Sequence, residues 1–149
     1  MIRRSRRIRF RSTDAMFLLD TNIVIPILNE RDPQAAQRLD EELVLGTPIL
    51  MSTIVVFELR CGIARSARRE RNQAALVHFM TLPLTVVPFD DDDATHAGDI
   101  RTHLERNGTP VGAYDVLIAA QARRRSAVLV TRNRREFDRV PGLMVTDWT

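Results

Sequence analysis

From Met16 onward, short apolar runs alternate with longer stretches whose apolar residues recur at helical spacing. That alternation leaves room for little besides an α/β domain built on a parallel sheet. The runs at 17–20, 49–52, 84–89, 127–131 and, more weakly, 143–146 are rich in Val, Leu and Ile, as strands buried on both faces tend to be. The intervening patterns predict helices over 21–30, 33–45, 53–66, 70–82, 91–107 and 115–125. Pro26 is tolerated only because it lies near a helix start, and Pro33 suits the first turn of the next helix. Asn107-Gly108 supplies a helix stop, and the apolar run after Asp115 predicts a largely buried helix. With no repeat and no linker, the expectation is a single domain over 16–149, with a short central parallel sheet of about five strands flanked by helices.

Composition matters at two points. The 44% hydrophobic and 28% charged content fits a globular chain that buries a core. No apolar run approaches the roughly 20 residues that span a bilayer, so no membrane contact is expected. One cysteine, Cys61, has no internal disulfide partner, and no Cys/His spacing suggests zinc. A reducing cytoplasm is therefore the default compartment. The net charge of +3 is uneven. Residues 1–15 hold six arginines and one acid, leaving 16 basic against 18 acidic residues in the remainder. That leader lacks the apolar core of a secretory signal. It reads as a basic arm that grips phosphates or, more simply, as a disordered leader translated from an early start codon, with Met16 the functional beginning.

Three acids stand apart from the rest. Asp20 ends the first apolar run, in Leu-Leu-Asp-Thr-Asn, where a turn, a helix cap or a ligand site beyond a strand's carboxyl end would each use it. Thr21-Asn22 reads as the cap of the helix that follows. Glu58 sits in Val-Phe-Glu-Leu-Arg-Cys-Gly, where its neighbours three and four positions away are Ile54, Val55, Cys61 and Gly62. A carboxylate on such a face needs a partner, either a metal ion or a buried arginine. Asp115 opens an apolar helix, where capping and the helix dipole also favour an acid. The run Asp90–Asp93, by contrast, reads as a solvated cap and turn. His78, His96 and His103 lack ligand-like spacing and read as surface or core-edge residues.

These stretches carry a resemblance. Phe-Leu-Leu-Asp-Thr-Asn, Val-Phe-Glu-Leu-Arg-Cys-Gly, the segment 98–122 and the end from Val130 to Trp148 resemble PIN-domain ribonucleases, specifically the VapC toxins of type II toxin–antitoxin pairs. The likeness runs from about Met16 to Trp148, loosely over 63–83 and densely over the last fifty residues. It implies that Asp20, Glu58 and Asp115 are metal-binding acids. The family's fourth acid, after the fourth strand, is replaced here by Asn133. That residue could offer a carbonyl oxygen or hold a water, and Glu136 could reach back toward the site. Asp99 is a weaker candidate.

What the resemblance implies is a metal-dependent endoribonuclease. Hard carboxylates suit Mg²⁺, with Mn²⁺ as the alternative, and such an ion activates water and neutralises phosphodiester charge. Asp20 and Asp115 would be the main metal ligands. Glu58 would help hold the metal or orient water, Asn133 would complete the catalytic set, and Thr21 and Thr131 would support the acids from behind. Arg132 and Arg134, flanking Asn133, are the expected contacts to the RNA backbone within a basic cluster that includes Arg123–Arg125, Arg135 and Arg139. With few aromatics, base stacking is not expected to dominate recognition. The implied partners are an RNA substrate, for which tRNA would fit, a cognate antitoxin and a second copy of the chain. Ile23, Val24, Ile27, Leu28, Leu39 and Leu43 offer the antitoxin an apolar groove or, equally, belong to the core. The alternative, kept open by Asn133, is a catalytically weak module acting as an antitoxin-dependent DNA-binding co-repressor.

Overall fold

The computed structural model describes residues 15–149. The arginine-rich segment 1–14 lies outside the described residues. The elements follow in the order β1 (Phe17–Leu19), α1 (Thr21–Leu28), α2 (Pro33–Val44), β2 (Ile49–Ser52), α3 (Thr53–Arg65), α4 (Arg69–Phe79), β3 (Thr85–Val87), α5 (Asp91–Arg106), α6 (Ala113–Arg124), β4 (Val128–Val130), α7 (Arg134–Phe137) and β5 (Met144–Thr146). The five strands form one parallel sheet in the order β3-β2-β1-β4-β5. All five expected strands and all six expected helices are present, the strands mostly trimmed by a residue or more. The added element is the one-turn helix α7, too short for periodicity to reveal.

Burial explains the order. Leu18 and Leu19 of β1 are fully enclosed, as central strands covered on both faces must be, whereas Thr85 and Val86 of edge strand β3 are exposed. Each enclosed Leu or Ile contributes about 1.5–3 kcal/mol relative to exposure. The chain builds outward from β1 to β2 and β3. It then crosses the sheet through α5 and α6 to place β4 on the other side of β1. That reversal opens a crevice between the carboxyl ends of β1 and β4, the usual ligand position in open parallel sheets.

Helix α6 follows the expectation of a buried helix, with Val116, Ile118, Ala119, Ala120, Gln121 and Ala122 all enclosed. Its alanines admit α5 at close range. The joint between the two is ionic where the sequence suggested only solvated acids. Asp90 and Asp93 form a reciprocal capping box at the start of α5, and Asp93 is completely buried. Arg125 donates to Asp93 at 2.7 Å, Arg124 stands 3.3 Å from it and pairs with Asp90, and Arg123 pairs with Asp99 at 2.8 Å. The reading of Asp90–Asp93 as a solvated run therefore fails at Asp93, since the arginines that neutralise it lie more than thirty residues away. His96 is half-buried and accepts from Arg123 Nε at 3.0 Å, and His78 and His103 are exposed. Among the described residues no helix is long and apolar enough to cross a membrane.

Candidate active site

Asp20 leaves β1 in extended backbone and becomes the N-cap of α1, accepting from the backbone N–H of Thr21 at 2.8 Å. The cap is Asp20 itself, not Thr21-Asn22. Asn22 does other work, since its Oδ1 accepts from the Arg132 backbone N–H at 3.0 Å and lies 3.2 Å from Thr131 Oγ1. The single proton of Thr131 sits between that oxygen and Asp20 Oδ2, 2.8 Å away. Thr131 is fully enclosed and directly follows β4, so the crevice between β1 and β4 is closed at its base by this network. Asn22 was not legible as a site residue, because its partners arrive from 109 and 110 positions along the chain.

Glu58 approaches from α3 and Asp115 from the first turn of α6. Thr21 Oγ1 donates to Glu58 Oε1 at 3.1 Å, which ties α3 to the start of α1. Burial raises the proton affinity of Glu58, and the Asp20 charge raises it further, against the Thr21 hydrogen bond. Asp20 is also shifted upward by burial, with the Thr131 and Thr21 hydrogen bonds opposing. Asp115 is pushed up to about 6, first by burial and then by the charges of Asp20, Glu58 and Glu136. The three acids singled out in the sequence thus share one electrostatic environment.

Glu136 is the fourth member. It lies in the single turn of α7, where Asn133 Nδ2 donates to its Oε2 at 2.8 Å. Asn133 in turn is fixed by its own backbone N–H donating to Thr131 Oγ1 at 3.0 Å. Asn133 therefore stands where the resemblance puts a fourth acid, yet its amide group holds a carboxylate three residues on. Asp99 belongs elsewhere, in the α5–α6 joint with Arg123.

Among the described residues, no basic side chain forms an ion pair with Asp20, Glu58, Asp115 or Glu136. Asp20 is only 4% exposed, and a buried carboxylate without a cation is costly. The donor set fits a hard cation, being all carboxylate, negatively charged and unpaired with any base among the described residues. As the side chains stand, no group of three or more His, Cys, Asp and Glu among the described residues is assembled to hold a metal ion. The carboxylates are within electrostatic range of one another without having closed to ligating positions.

The expected RNA contacts differ from each other. Arg132 pairs with Asp32, the N-cap of α2, and so is drawn to the rim of the fold. Arg134 is about half exposed, with Asp138 at 3.7 Å. Phe57 and Tyr114, each next in sequence to a site acid, meet edge to face at 5.6 Å and are both about half exposed. The apolar groove takes a different form from the one expected. Ile23, Val24 and Leu39 are fully buried core, and the open apolar cleft, about 190 Å³, is lined by Ile25, Leu28, Leu59 and Ile63 between α1 and α3.

A parallel sheet of this order with clustered carboxylates beyond β1 and β4 defines a class, and the PIN domain model matches residues 17–143. The chain belongs to the PIN-domain family. Within it, the chain is a member of the VapC ribonuclease toxins of VapBC toxin–antitoxin systems. It is 40% identical over 133 residues to the tRNA(fMet)-specific endonuclease VapC of Salmonella typhimurium, covering 89% of this chain and 97% of that protein. It is 35% identical to Ribonuclease VapC2 of Rickettsia felis, covering 89% and 98%. Among solved structures, VapBC2 from Rickettsia felis bound to a DNA fragment from its promoter superposes with a TM-score of 0.84 at 33% identity, covering 90% of this chain and 99% of that one. DNA-bound VapBC from Salmonella typhimurium gives 0.83 at 38% identity, covering 91% and 99%.

Proposed function

We propose that this chain is a Mg²⁺-dependent endoribonuclease, with Mn²⁺ able to substitute, whose cleft of Asp20, Glu58, Asp115 and Glu136 hydrolyses RNA phosphodiester bonds. The observation that carries the reading is the gathering of four mutually repelling carboxylates, one of them nearly fully buried, that no basic side chain among the described residues pairs with. Asp20 and Asp115 would be the principal ligands, with Glu136 completing the set. The chemistry such an ion supplies when bound is activation of water and neutralisation of phosphodiester charge. Thr131 and Thr21 hold Asp20 by hydrogen bonds, Thr21 also holds Glu58, which would help bind the ion or orient a water, and Asn133 would keep Glu136 in reach. Arg134, the freer of the two predicted contacts, would meet the RNA backbone, with Arg132 at the rim.

The name of the Salmonella relative supports tRNA as the substrate class. The VapBC complexes support a cognate antitoxin, for which the cleft of Ile25, Leu28, Leu59 and Ile63 is the apolar seat. A homodimer is the assembly that the family resemblance implies. Residues 16–149 would form the domain, with 1–15 a leader, and a single cysteine fits action in the cytoplasm. The reading as a non-catalytic co-repressor loses its ground if Glu136 replaces the missing fourth acid. The test compares RNA cleavage by the purified protein, with Mg²⁺ and with chelator, against Asp20→Asn and Asp115→Asn. Cleavage that is equal in all three proteins would overturn the proposal.

A further inference from the structure

A second cavity, about 480 Å³, opens at the opposite end of α1 from the carboxylates. Its walls are Asn29 at the α1 C-cap, Arg31 just beyond, Ser66 and Arg68 from the α3–α4 turn, and Arg71 and Asn72 in the first turns of α4. Ser66 Oγ accepts from the Arg68 backbone N–H at 3.0 Å and from Asn72 Nδ2 at 2.8 Å, so the turn that presents Arg68 is itself braced against α4. Among the described residues, none of Arg31, Arg68 and Arg71 pairs with an acid. The contrast with Arg123, Arg124 and Arg125, each matched to an aspartate, is complete.

Three guanidinium groups around one cavity repel, and an anionic ligand relieves them. The cavity shares Asn29, Ser66 and Asn72 with the apolar cleft of Ile25, Leu28, Leu59 and Ile63. A nucleic-acid backbone would use the arginines but leave that apolar surface uncovered. A protein segment with apolar side chains followed by acids satisfies both halves at once. We infer that the arginine pocket binds Asp or Glu side chains of an acidic, apolar segment of a partner protein, whose apolar residues lie in the adjoining cleft. This rests on the reading of that cleft as the antitoxin's seat, and adds a charged anchor with its own specificity and salt dependence.

The test selects short random peptides, displayed on phage, against the full chain, and repeats the selection against the triple variant Arg31→Ala, Arg68→Ala, Arg71→Ala. The variant Arg106→Ala controls for loss of charge outside the groove, and thermal melts check folding of every protein. Peptides enriched on the wild type should carry acids next to apolar residues. A labelled winner should bind about tenfold tighter than its Asn/Gln twin at low salt, with the difference shrinking at high salt and lost on the triple variant. Equal binding of the two twins, no acid enrichment, or the same enrichment on the triple variant would overturn the inference. So would a single-stranded RNA whose affinity depends on these arginines while the peptides show no preference. RNA cleavage by the wild type is assayed on the same preparation. Failure of the nuclease reading thus shows as absent cleavage, and failure of the anchor as absent discrimination between twins.

Discussion

Helix α1 is eight residues long, and its two ends are opposites. Among the described residues, Asp20 at its N-terminus joins Glu58, Asp115 and Glu136 without a paired base, and Arg31 at its C-terminus joins Arg68 and Arg71 without a paired acid. The helix dipole favours each arrangement slightly, by about 0.3–1 kcal/mol for an exposed charge, too little to offset several like charges gathered together. The α5–α6 joint is the counterexample, since there aspartates and arginines neutralise one another around the buried Asp93. Charge that a fold leaves uncompensated at one spot is charge reserved for a ligand, and charge that it compensates is structural.

The largest expected effect separates the acid end from everything else. Asp20→Asn or Asp115→Asn should cut Mg²⁺-dependent RNA cleavage by more than the roughly 10–100-fold that loss of a ligand's hydrogen-bond partner costs. Parallel melts would show both variants folded. The joint should respond in the opposite manner. Asp93→Ala strands Arg125, breaks the capping box with Asp90 and leaves a buried void, and should cost about 3–5 kcal/mol in urea unfolding. Single alanine changes at Arg31, Arg68 or Arg71 should stay within about 0.5 kcal/mol of wild type. A joint variant as stable as wild type would break the distinction between structural and reserved charge.

A smaller effect tests how Glu136 is held. Asn133→Ala should weaken Mg²⁺ affinity by roughly tenfold, measured by calorimetry, because Glu136 loses its 2.8 Å donor. Glu136→Gln should weaken it at least as much. If neither variant changes the affinity, α7 is not part of the site.

The smallest effect is a pH dependence. The carboxyl of Asp115 is raised from 3.8 to about 6 in the folded protein, so the folded state holds this proton more tightly than the unfolded chain. Its contribution to stability is fully present below 3.8 and is lost as pH rises through about 6. For a part-buried group discounted for solvent screening, that loss is worth about 1 kcal/mol. Asp115→Asn should therefore melt roughly 3–6 °C higher than wild type at neutral pH without Mg²⁺, and equally in acid. Added Mg²⁺ should raise the wild-type melting temperature more than that of the variant.

Much of this was legible in the chain. The elements were, because helix and strand periodicity is a local property that residues 17–146 display openly. Asp20, Glu58 and Asp115 were also legible, because each stands out against the apolar residues beside it. The PIN resemblance pointed to the same three residues. Asn22 reads as an ordinary cap, and Glu136 was legible only as an acid able to reach back toward the site, one charge among many in Arg-Asn-Arg-Arg-Glu-Phe. The buried role of Asp93 was hidden for the same reason within a run of four identical residues. No local pattern distinguishes Arg31, Arg68 and Arg71 from Arg123, Arg124 and Arg125.

The sequence by itself determined the alternation of strands and helices, the acids at the ends of apolar runs and the family they resemble, since each is written within a few neighbouring residues. Only the tertiary structure decided which charges meet. The crossover through α5 and α6 sets β4 beside β1, which brings Thr131 to Asp20 and α7 to the acid cleft. The same crossover delivers Arg123–Arg125 to the aspartates of α5, while Arg31 after α1, Arg68 in the α3–α4 turn and Arg71 in α4 line a cavity with no acid paired to them among the described residues. Electrostatic compensation depends on distance in space, and distance in space is not written in the neighbours along the chain.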